Sequence, residues 1–170
     1  MRQSITARRA PDWMDIEREY EARRNPDTVR VEPNPAARLA ALRSDNLRQV
    51  VAQVRARGRT PRVCRYALSV GGHRPANSLA AVTAFAERRA WHVGEEQTFI
   101  DHQSTAAPQS RPGWCLVRRQ IRAGYADGVV VTTTGVISPH LGPYEEELRW
   151  FELHRAFIAV VAPTARTGRL

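Results

Sequence analysis

An α/β fold, with a mostly parallel sheet of about four strands flanked by helices and preceded by a helical extension, is predicted by three features of this 170-residue chain. Short apolar runs alternate with longer stretches whose apolar residues recur at helical spacing, the pattern of strand–helix–strand units. The run GVVVTT is unbroken in its β-branched character, as expected of a strand covered on both faces. Proline and asparagine stand where helices begin, and glycine stands where they end.

Taken in order, Asp12 can cap a short amphipathic helix over WMDIEREYEARR, in which Trp13, Ile16 and Tyr20 share a side. NPDTVRVEPNP follows, and its prolines predict a linker or turn. A second helix starts with Asn34 as cap and Pro35 at its first position, runs to about Arg57 and stops at Gly58. Leu39, Leu42, Leu47, Val50, Val51 and Val54 form its apolar stripe, which must pack on the sheet or on a second copy of the chain. VCRYALSV is the first strand, and NSLAAVTAFAERRA a helix with Leu79, Val82, Phe85 and Ala86 on one face. A second strand is expected near QTFID, then a polar loop over STAAPQS. RPGWCLVRRQIRAG reads as a helix with Pro112 in its first turn and Gly124 just past its end. GVVVTT, the helix YEEELRWFELHR and the final strand AFIAVVAP complete the order. The expected domains are a helical extension and linker over 1–60, the α/β domain over 61–163 and a frayed tail over 164–170.

Composition narrows the function. No stretch has the apolar length of a membrane span and the amino terminus has no apolar leader core, so the protein is expected in the cytoplasm without membrane association. Cys64 and Cys115 fit no disulfide framework and no metal spacing, and both are expected to be buried and inert. The histidines are scattered, so neither a metal nor a cofactor is expected. The net charge of +9 points to phosphate-bearing partners, although all 26 basic residues are arginine, a bias that a GC-rich genome also produces. Residues 1–62 carry 14 arginines against 8 acids, and residues 63–170 carry 12 against 9. Arg43, Arg48, Arg55, Arg57 and Arg59, on the basic side of the helix and just past it, are the candidate DNA contacts.

Residues 62–163 resemble the catalytic domain of the serine recombinases, the resolvase and invertase family. The resemblance rests on RPGWCLVRRQIRAGYADGVVV, similar to the family's helix opening on Arg-Pro-Gly and feeding the third strand. RVCRYALSV and FIDHQSTA are similar to its first strand and to its second strand with the loop that follows. The resemblance implies a resolvase-like sheet and a strand-end serine, here Ser69, that attacks a DNA phosphodiester. A serine hydroxyl is a weak nucleophile, and the phosphate transition state needs cations around it. The family supplies an arginine two residues before the serine and an Asp-Arg-Leu-Ser/Gly-Arg run after the third strand. Here Ala67 stands two before Ser69, and the third strand is followed by TTTGVISPHLG, without acid or arginine. Groups that stabilise one charge act together, so losing several removes the activity rather than tuning it.

The expectation is therefore a degenerate recombinase-like domain acting as a DNA-associated or regulatory binding module. A phosphate or ligand rim is expected at the strand ends, at Gly71, Gly72, Asp101, His102, Thr132, Thr133, Thr134 and Ser138. Two alternatives stay open. One is an active recombinase using Ser69 with arginines recruited from elsewhere, such as Arg74 or Arg111; the other is a protein-interaction module or a homodimer formed through the N-terminal helix.

Overall fold

The computed structural model describes residues 34–71, 74–102 and 106–161. The chain divides into two units, Met1–Pro33 and Asn34–Leu170. The expected helix over 13–24, Gly72 and the tail from 164 lie outside the described residues.

Four parallel strands form one sheet: β1 (Arg62–Ser69), β2 (His92–His102), β3 (Gly128–Val131) and β4 (Phe157–Val160), in the spatial order β2-β1-β3-β4. The helices are α1 (Pro35–Ala56), α2 (Pro75–Arg88), α3 (Pro112–Arg122) and α4 (Leu141–Leu153). Alternation along the strands divides the core. Val63, Val130, Phe157 and Ala159 face α2 and the second half of α1, whereas Cys64, Tyr66, Val129, Val131 and Ile158 face α3 and α4. Val129, Val130 and Val131 are all fully buried, so β3 needs apolar side chains on both faces. Each such valine contributes about 1.5–3 kcal/mol over an exposed one.

The helix α1 begins as its sequence predicts. The Asn34 side chain accepts the Ala36 N–H at 3.0 Å and Pro35 opens the first turn. Gly58, at φ +71°, turns the chain out of the helix. Its apolar stripe is divided between the two faces of the sheet: Leu39 joins the α3–α4 side, and Val50, Val51 and Val54 join the α2 side. Between them the Asn46 amide donates to the Ala156 carbonyl at 2.8 Å. The helix thus crosses the outer edge of β4 and covers an edge that would otherwise invite pairing.

Two expectations change. The strand β2 begins at His92, well before QTFID. Opposite Val63 and Arg65 it places Val93 and Thr98, so a bulge at Gly94–Gln97 absorbs the extra residues. These polar residues belong to an edge strand, which lacks the apolar run by which a central strand announces itself. Cys115 is exposed, not buried. On α3 the buried positions are Gly113, Trp114, Val117 and Ile121, and Cys115 is a helical step off that face. Cys64 is buried, and burial pushes its thiol up to about 12. In the native protein a thiol reagent such as Ellman's is therefore expected to titrate Cys115 promptly and Cys64 only after denaturation; prompt reaction of both would contradict this packing.

Among the described residues, no helix is long and apolar enough to cross a membrane.

Candidate functional site

The carboxyl ends of the strands bring the described residues of the predicted rim to one end of the sheet. Ser69 closes β1, half-buried, with its Cα paired in register to that of the exposed His102 at the end of β2. Gly71 follows at φ +52°, a left-handed turn for which glycine carries no steric penalty. From β3 the chain passes through half-buried Thr132 and Thr133 into a 3₁₀ turn over Thr134–Val136 and on to Ser138. Ser138 is buried, and its hydroxyl accepts the His140 N–H at 3.1 Å, bracing the entry to α4.

Asp101 serves the fold directly. It is 6% exposed, and its oxygens accept the Gly113 N–H at 2.8 Å, the Trp114 N–H at 3.0 Å and the Tyr66 hydroxyl at 2.8 Å. The carboxylate thus caps α3 across the sheet, where the helix presents unpaired N–H groups and the positive end of its dipole. A Cβ on Gly113 would sit 2.8 Å from the Asp101 Oδ2, so glycine is required for this approach. Burial raises the Tyr66 hydroxyl well above its ordinary value, Arg111 partly offsets this, and Asp101 adds to it. Tyr66 stays protonated as the donor.

Arg111 is enclosed at 3% exposure. Its guanidinium donates to the Ala106 carbonyl at 3.1 Å and the Val136 carbonyl at 2.8 Å. One buried cation therefore ties the loop after β2 to the loop after β3. Arg65 points into the α2 side of the sheet, donating to Thr83 at 2.8 Å and Thr98 at 2.5 Å. It lies four residues before Ser69, about 13 Å along the strand. Of the arginines in the described part of the rim, Arg74 is exposed.

The helix arginines singled out from the sequence separate. Arg43 donates to the Tyr144 hydroxyl at 3.0 Å, and Arg48 pairs with Asp45. Arg59 reaches Asp127 at 3.4 Å, beside Arg62, whose main-chain N–H donates to the same carboxylate at 2.9 Å. Arg55 and Arg57 are exposed. A groove of about 630 Å³ lies between α1 and α4 and is lined by Asn46, Gln49, Gln53, Arg57, Glu152 and Arg155, away from the rim.

Sequence reasoning missed the Asp101 cap and the Arg111 tie. Both join residues that only the fold brings together, and neither leaves a local motif.

No protein-family model matches the chain, and no curated protein does. Solved structures do. The N-terminal catalytic domain of TP901-1 integrase superposes with a TM-score of 0.53 at 19% identity, covering 59% of this chain and 76% of that one. The C-terminal catalytic domain of ISC1926 TnpA, an IS607-like serine recombinase, does so with a TM-score of 0.50 at 20% identity, covering 61% of this chain and 72% of that one. At these identities the likeness is one of fold. With the four parallel strands and flanking helices described above, it gives this chain the resolvase-like α/β fold of a serine recombinase catalytic domain.

Proposed function

We propose that this chain is a recombinase-like module that associates with DNA and does not cleave it. The observation that carries the reading is what surrounds Ser69. Phosphoryl transfer to a serine needs cations aimed at the reacting phosphate. Arg111, which opens α3 beside the rim, is committed to two carbonyls, and Arg65 is committed to two threonines well down the strand. The residues after β3 that approach the same rim are neutral. The net charge of +9 supports attraction to phosphate independently of that chemistry.

A gel-shift titration with random-sequence duplex at low and moderate salt tests it, followed by denaturation of the complex. Binding is expected to weaken by at least 10²-fold, an order-of-magnitude figure, between about 50 and 200 mM salt. No protein should stay attached to DNA after denaturation, and Ser69→Ala should bind as the wild type does. A denaturation-resistant adduct that Ser69→Ala abolishes would establish the active-recombinase reading instead. Salt-insensitive binding, or none, would remove the DNA-associated one.

A further inference from the structure

Among the described residues, the topology gathers most of the exposed arginines at the end of the sheet opposite Ser69. In a parallel sheet with helical crossovers, every helix ends beside the start of the next strand, so all helix carboxyl ends share one base. Here α1 closes with Arg55, Arg57 and Arg59, and α2 closes with Arg88 and Arg89. On the other side of the sheet α3 closes with Arg119 and Arg122, and Arg155 follows α4. All of these are exposed, and half-buried Arg62 begins β1 among them.

Acids are few there. Glu87, Asp127 and Glu152 occupy the same helix ends and turns, and Asp127 is already shared between Arg59 and Arg62. Glu95 and Glu96 are exposed on the bulge of the edge strand, about one strand position above the base, opposite Cys64.

The helix dipole accounts for part of this. A cation in a last turn gains about 0.3–1 kcal/mol from it. That favours Arg55, Arg88, Arg119 and Arg122. It favours Arg57 at the C-cap of α1 and Arg155 just past that of α4 as well, but it does not call for Arg59 or Arg62, which lie beyond the α1 cap and at a strand start.

Hydrogen bonds make the base continuous. The His92 N–H donates to Pro61 at 2.8 Å, the Asp127 N–H to Arg62 at 2.7 Å, and the Phe157 N–H to Asp127 at 3.1 Å, while the Arg62 guanidinium reaches the Gly124 carbonyl at 2.7 Å. Four strands span about 15 Å along the sheet, and helical layers about 10 Å from it on each face lie about 20 Å apart across it. The surface is basic, exposed and braced from beneath.

We infer that this base, and not the serine rim, is where the domain docks on the phosphate backbone of duplex DNA. The inference rests on the DNA-associated reading above and adds its location. It carries no base-reading element, so the predicted binding is sequence-independent.

The test compares two charge-matched variants of the full chain. The base variant is Arg55→Gln, Arg57→Gln, Arg88→Gln and Arg119→Gln. The control variant is Arg38→Gln, Arg48→Gln, Arg74→Gln and Arg149→Gln, exposed arginines away from the base; Arg48, a candidate DNA contact by sequence, is paired with Asp45 in the middle of α1, and the inferred location removes it from the contacts. The four base side chains make no hydrogen bond or ion pair among the described residues, so their loss leaves the packing intact.

Fluorescence anisotropy with a random duplex across a salt series reads affinity and its salt slope. The base variant is expected to bind on the order of 10²- to 10³-fold more weakly at 0.1 M salt, with a slope shallower by about 0.9 for each phosphate no longer neutralised. The control is expected to stay within a few-fold of the wild type. Equal weakening in both variants, or more in the control, would overturn the location while leaving DNA association standing. A wild type that does not bind duplex would overturn the DNA reading itself. Retention by phosphatidylserine vesicles instead, abolished in the base variant, would keep the surface and change the partner.

Discussion

Asp101→Ala is expected to destabilise the domain by about 3–5 kcal/mol, the range for breaking a buried charged network by removing one partner. The carboxylate satisfies three donors at once, from Tyr66, Gly113 and Trp114. Alanine would leave two N–H groups at the start of α3 and one buried hydroxyl without acceptors, each costing about 1–3 kcal/mol. It would also remove the negative charge beside the positive end of the helix dipole and near the buried Arg111. Asp101→Asn separates these contributions. It keeps shape and one acceptor oxygen but sets an NH₂ against a donor, so a loss of about 1–3 kcal/mol is expected. Urea unfolding of the two variants and the wild type checks the order. An alanine variant within about 1 kcal/mol of wild type would show that α3 does not depend on this cap.

The effect should extend beyond stability, because Arg111 stands directly before α3 and clamps both rim loops. A frayed α3 start releases the residues that shape the surroundings of Ser69. The rim is therefore held together by charges turned inward, at the place where the recombinase resemblance leads one to seek charges turned outward. Burial of Asp101 and Arg111 follows from their roles: a helix start and two carbonyl-bearing loops need a carboxylate and a guanidinium, and both groups are enclosed as a result.

What the sequence revealed and what it concealed divide by the range of the interaction. Pro112 and Gly124 bracket α3 as local capping rules require, and Asn34, Pro35 and Gly58 do the same for α1. GVVV was legible because a central strand leaves no polar position. The start of β2 was not, since an edge strand with a bulge tolerates Gly94, Glu95 and Glu96. The exposure of Cys115 could have been read from helical spacing relative to Trp114, Val117 and Ile121. Ser69 at the end of the first strand was readable; the partners of Asp101 and Arg111 were not, because they depend on β1, β3 and α3 meeting in space.

The buried pair formed by Trp114 and Glu147 gives the second large effect, and one with a pH signature. Trp114 is fully buried, edge-on to Tyr66 at 4.9 Å between ring centroids and tilted against Phe151 at 5.8 Å. Trp114→Ala is expected to cost about 3–5 kcal/mol through poorer packing and the cavity left behind. Its indole N–H also donates to Glu147 at 2.8 Å, and Arg118, lying over the Trp150 ring, stands 3.8 Å from the other carboxylate oxygen. Burial pushes the Glu147 carboxyl above the usual carboxylate range; the Trp114 bond and Arg118 oppose this in part, Glu146 adds to it, and Arg111 pulls weakly the other way. A carboxyl raised in the folded state contributes stability below its unfolded pKa and loses it as pH rises through the folded value. The wild type should therefore lose stability on going from about pH 4 through that raised value, and Glu147→Gln should remove that part of the loss. Trp114→Phe keeps most of the ring volume but deletes the donor, so the folded pKa rises further. Its destabilisation should be larger at about pH 8 than at about pH 5, and the difference should vanish in the Glu147→Gln background. Urea unfolding of these variants at both pH values decides it. A Trp114→Phe penalty equal at the two pH values would mean that the indole supports Tyr66 and Phe151 by packing alone and leaves the charge of Glu147 to Arg118.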